Sequence, residues 1–74
     1  MLELIKLTPR DAQLAKQRLV YNAHLCHMLD KRILYQDAQY IVQGIANARL
    51  ILTREGTLYQ LPIYIAADLI IKKD

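Results

Sequence analysis

Residues 37–48 read Asp-Ala-Gln-Tyr-Ile-Val-Gln-Gly-Ile-Ala-Asn-Ala. The fold turns on this stretch, because its neighbours carry plainer signatures. Asp37 stands where a helix cap would, and its carboxylate suits the positive end of a helix dipole. The spacing then predicts a helix over 38–48. Ala38, Ile41, Ile45 and Ala48 form its buried side, and Gln39, Gln43 and Asn47 its wet side. A glycine inside such a helix costs about 1 kcal/mol relative to alanine. The return expected for Gly44 is close approach of another backbone.

Toward the N-terminus, residues 9–31 read as one long helix. Ala12, Ala15, Leu19, Ala23, Cys26 and Ile33 fall on one stripe, widened by Leu14, Leu25 and Leu29. Gln13, Lys16, Gln17, His24, His27 and Lys31 take the opposite face. Thr8 is placed to cap this helix. Pro9 occupies the first helical position, where its missing N–H costs nothing, and Asp11 follows three residues after the cap. Residues 2–7, LELIKL, alternate well enough for a short strand.

Toward the C-terminus, residues 49–62 read as a β-hairpin with Glu55-Gly56 as its two-residue turn. Pro62 ends the second strand or places it at an edge. Residues 63–74 fit a helix, with a strand as the alternative reading. The fold class is therefore α+β. A small antiparallel sheet, made of the N-terminal strand and the hairpin, packs against two or three helices in a single domain over 1–74. A winged-helix variant would use 38–48 as recognition helix and 49–62 as wing.

Counting excludes several chemistries. Among 74 residues there is no Ser, a single Cys and two Gly, neither in a phosphate-cradling loop. No apolar run approaches the ~18 residues of a membrane span. The start, Met1-Leu2-Glu3-Leu4, lacks the basic region of a signal peptide. A lone cysteine points to a reducing, cytoplasmic setting. His24 and His27, three apart and followed by Asp30, resemble a metal half-site. They lack a fourth ligand, because Cys26 is expected in the core. The acids are scattered, so no pair is set up for general acid–base work. No catalytic residue, metal site, cofactor or small-molecule substrate is expected.

Recognition remains. Hydrophobic residues make up 54% of the chain, more than so small an interior shelters, and the surplus implies a partner surface. The formal charge of +3 resides between Pro9 and Arg32, where Arg10, Lys16, Arg18, Lys31 and Arg32 face Asp11 and Asp30. All five aromatic residues are tyrosines, which suit surfaces that are dry at one end and wet at the other. The expected function is a non-catalytic protein-binding module, acting as regulator, inhibitor or assembly subunit. It acts through a Tyr/Leu/Ile patch rimmed by basic residues, and its contact residues are Arg10, Lys16, Gln17, Tyr21, His24, Lys31, Tyr35 and Tyr40. The expected partner is another protein or a second copy in a homodimer. The alternative is a dimeric nucleic-acid-binding regulator using the basic helix face.

Overall fold

Three tight turns set the architecture. Gln36-Asp37, Asn47-Ala48 and Glu55-Gly56 all have positive φ at both positions. That is the type I′ geometry whose twist matches paired strands. Each turn closes a hairpin, with Tyr35 opposite Ala38, Ala46 opposite Arg49 and Arg54 opposite Thr57. The computed structural model describes residues 2–66. In order it contains β1 (Glu3–Ile5), α1 (Pro9–Val20), a short 3-10 helix (Cys26–Met28), β2 (Arg32–Tyr35), β3 (Ala38–Ala46), β4 (Arg49–Arg54) and β5 (Thr57–Pro62). Residues 63–66 are helical. The strands form one antiparallel sheet in the order β1-β5-β4-β3-β2.

The class is α+β, but the sheet has five strands, not three. The helix expected over 38–48 is strand β3 and its turn. Asp37 cannot cap a helix, because it is the second residue of a hairpin turn with φ 67. Tyr40-Ile41-Val42 is an aromatic and β-branched run that favours extended backbone. Burial follows a period of two: Tyr40, Val42 and Gly44 are buried, and Gln39, Ile41 and Gln43 are exposed. With no recognition helix, the winged-helix variant is excluded.

The first helix is also shorter than expected. Its start is as read: the Thr8 hydroxyl accepts from the Asp11 N–H at 3.1 Å, with Pro9 in the first turn. It stops at Val20, not Lys31. The Asn22 side-chain oxygen accepts from the N–H groups of His24 and Leu25, both at 2.9 Å. That is the bonding of an N-cap, and it restarts the chain in a new direction. Val20 and Tyr21 just before it are poor helix formers. Ala15 and Leu19 keep their buried places, but Ala23 and Cys26 are exposed.

The core joins Leu19, Met28, Ile33, Tyr40, Val42, Leu50, Leu52, Leu61 and Ala66, with Leu25, Leu29, Ile63 and Ile65 packed against it. Each aliphatic side chain hidden in this way contributes roughly 2 kcal/mol. Leu50, Ile51 and Leu52 are all at most 2% exposed. Successive strand residues point to opposite faces, so central β4 is covered on both. Gly44 explains how α1 approaches β3. A Cβ there would lie 2.6 Å from the Ala15 carbonyl carbon and 2.8 Å from the Lys16 nitrogen. The close approach expected of Gly44 is present, on a strand instead of a helix. The helix expected over 63–74 begins at residue 63, and its course beyond 66 lies outside the described residues.

Candidate functional site

Residues paired directly across an antiparallel ladder share a face. Following the ladders outward from β4 gives one row crossing all five strands. Ile5 pairs with Leu58, Leu58 with Thr53, Thr53 with Ile41, and Ile41 with Arg32. Leu34, two residues from Arg32, lies on the same face. Ile41 is 36% exposed and Leu34 50%, while Ile5, Thr53 and Leu58 are half-buried. This is an aliphatic band open to water, with a guanidinium at the β2 end.

Two open depressions flank the band. One, of about 600 Å³, is lined by Arg32, Ile41 and Thr53 with Asp37, Arg54 and Glu55 at its rim. The other, of about 380 Å³, includes Ile5, Leu7 and Leu58. Around the first, Arg32 and Arg54 stand against Asp37 and Glu55, so its surround is formally neutral. A polyanion site would carry an excess of cations.

The eight residues expected to form the contact surface are spread out. Arg10, Lys16 and Gln17 are exposed on α1, and Tyr21 caps its C-terminal end at 84% exposure. His24 is exposed in the following turn, Lys31 precedes β2, and Tyr35 ends β2 half-buried. The basic segment is thus divided. Arg10, Lys16 and Arg18 stay on α1, while Lys31 and Arg32 move to the edge of the sheet.

Tyr40 is a correction. It is 6% exposed, and its ring meets Tyr59 edge-on at 5.4 Å and 82°. The Arg54 guanidinium stands 5.9 Å from its centroid, so this tyrosine belongs to the core. Cys26 is a second correction. With α1 ending at Val20, it no longer lies on the buried stripe, and its thiol is exposed. Among the described residues, no group of three or more His, Cys, Asp or Glu is placed to hold a metal ion. Among them also, no helix is long and apolar enough to cross a membrane.

Ile5, Arg32, Leu34, Ile41, Thr53 and Leu58 were not among the expected contact residues. The signal was the alternation in residues 38–44, visible only once that stretch is taken as a strand. Comparison with known protein families, with characterised proteins and with solved structures finds no match.

Proposed function

We propose that this chain is a non-catalytic protein-binding module that docks a partner protein on the band Ile5–Leu58–Thr53–Ile41–Arg32. The observation that carries this reading is convergence. Leu34 and Ile41, both open to water, share one face with three half-buried apolar or Thr side chains. Contiguous apolar surface of this kind marks interaction sites, whereas isolated exposed residues do not. Arg32 at one end supplies a residue type often dominant in protein contacts. The neutral surround of Arg32 favours a protein over a nucleic acid. Such a module acts by occupying or bridging a partner, as regulator, inhibitor or assembly subunit.

The test places a photo-crosslinking residue at position 41, with the same probe at Gln13 on α1 as reference. The protein captured at position 41 is purified and its affinity measured against the unmodified chain and Ile41→Glu. Glu at 41 stands opposite Arg32 and can pair with it, so the fold is retained. Support is binding weakened by about tenfold or more, as for loss of an apolar anchor. Equal binding by Ile41→Glu, or capture from position 13 alone, refutes the reading.

A further inference from the structure

Helix α1 carries two seams, and the fold uses one of them. Ala12, Ala15 and Leu19 recur at intervals of three and four residues. Ala15 and Leu19 are buried and Ala12 is half-buried, with the Ala15 backbone against Gly44 of β3. One position earlier, Asp11, Leu14 and Arg18 repeat that spacing and continue to Tyr21 at the helix end. This second seam is open to water, with Leu14 40% and Tyr21 84% exposed. Intervals of three and four residues set side chains in the line along which one helix meets another.

A single exposed leucine is ordinary on a protein surface. The charges on either side of Leu14 single it out. Asp11 and Arg18 lie about 10 Å apart along the helix axis, too far to pair with each other. Leu14 stands between them, at the middle of a helix that runs from Pro9 to Val20. A depression of about 230 Å³ lies along the seam, lined by Leu7, Leu14, Ala15, Ala46 and both charged residues.

We propose that two copies of this chain pair their α1 helices antiparallel about a two-fold axis beside Leu14. Leu14 then meets the partner's Leu14 over the depression, and the helices overlap along their whole length. Asp11 meets the partner's Arg18, and by symmetry that ion pair forms twice. The order acid, leucine, base is complementary to itself when reversed. A parallel pair would oppose Asp11 to Asp11 and Arg18 to Arg18, which is repulsive. Sliding the helices until Asp11 meets the partner's Leu14 or Tyr21 leaves the seam's charges against uncharged neighbours, which is costly. Arg10, on the other flank of the seam, falls near the partner's Gln17. One helix pair is a small contact, so the dimer is weak, with Kd on the order of 0.1 mM. The seam shares no residue with the band across the sheet, so this inference stands independently of the docking site proposed above.

Sedimentation equilibrium on the full chain, at concentrations up to about 1 mM, tests it. The expected result is a monomer–dimer equilibrium. Asp11→Arg faces the partner's Arg18, and Arg18→Glu faces the partner's Asp11. The Asp11 N–H, which donates to the Thr8 hydroxyl, is kept in both. Each variant alone turns two attractive pairs into repulsive ones and is expected to weaken the dimer by about tenfold or more. In an equimolar mixture of the two variants every pair is again of opposite sign, and association is expected to return. Leu14→Gln is expected to weaken the dimer by about tenfold as well. Circular dichroism checks that each variant is folded. If a charge variant does not fold, Leu14→Gln decides. A chain monomeric throughout, or a dimer indifferent to all three variants, overturns the pairing. Weakening by Leu14→Gln with no effect of the charge variants, or no recovery in their mixture, overturns the register.

Discussion

Gly44→Ala separates a packing account of this fold from a propensity account, because the two predict opposite signs. Gly44 does not have positive φ, unlike Gly56, so alanine meets no conformational barrier there. On propensity alone, replacing a strand glycine stabilises by roughly 0.5–1 kcal/mol. The geometry says otherwise. The new methyl carbon would stand 2.6 Å from the Ala15 carbonyl carbon, 2.7 Å from its oxygen and 2.8 Å from the Lys16 nitrogen. All three are backbone atoms of α1, so no side chain can rotate away. The helix must move off β3, and Leu19, fully buried, moves with it. Overpacking of this kind costs about 1–3 kcal/mol, here toward the upper end. Less the propensity gain, the net loss is about 2 kcal/mol. For a domain of this size that corresponds to a melting point lower by roughly 8–16 °C. Urea denaturation followed by circular dichroism measures it. A Gly44→Ala chain as stable as the parent, or more stable, refutes the close helix–strand contact.

Three further substitutions and one binding experiment address other parts of the structure. Ala48→Gly is expected to stabilise by about 1 kcal/mol, because Ala48 holds φ 61, where a Cβ is strained; a loss of stability in urea would contradict the type I′ turn. Asn22→Ala removes the acceptor of two backbone N–H groups and is expected to cost about 1 kcal/mol, whereas Asn22→Asp retains it. Val42→Ala, at a fully buried site, is expected to cost roughly 1–3 kcal/mol by the same denaturation assay. Against duplex DNA, binding is expected to be weak even at low salt, since the cations are divided between α1 and the β2 edge. Tight binding that falls steeply with salt in a titration would revive the nucleic-acid reading.

What the sequence disclosed depended on how local its causes were. The cap at Thr8-Pro9, the turn at Glu55-Gly56 and the hairpin it joins each follow from two to four residues, and each is present. The missing strands depended on turns whose chemistry is less explicit. Gln36-Asp37 and Asn47-Ala48 adopt the same backbone as Glu55-Gly56 without a glycine. Asp37 fits a helix cap equally well, since a short carboxylate serves either place. Residues 38–48 then admitted two periods, since Ala38, Ile41 and Ile45 match a helix while Tyr40 and Val42 match a strand. Tertiary pairing with both β2 and β4 decides for the strand. At the end of α1, the stripe from Ala12 to Cys26 concealed Asn22, whose capping ability outweighs continued periodicity. The contact residues inherited these errors. Tyr40 is expected at an interface because it is a tyrosine beside the expected helix start, and Ile41 in a core because a helix over 38–48 buries it.

The surplus of apolar residues does not by itself locate a partner site. Tyr21, Tyr64, Val20 and Leu14 are all at least 40% exposed, yet Tyr21, Val20 and Leu14 stand on or beside α1 and Tyr64 beyond β5. Scattered exposures of this sort are normal on small proteins. Leu34 and Ile41 differ because strand register, not composition, brings them together. β2 and β3 pair so that Arg32 meets Ile41 and Leu34 meets Gln39, placing all four on one face. A slip of β2 by one residue would turn Leu34 inward and present Ile33 instead, parting Leu34 from Ile41, which β4 holds in place. The surface is thus a consequence of the Gln36-Asp37 turn, which fixes that register. Inserting one glycine between Gln36 and Asp37 perturbs the register without altering any surface side chain. If the band is the docking surface, the insertion weakens partner binding in a chain that remains folded by circular dichroism. Undiminished binding by that folded variant would show that the contact lies elsewhere.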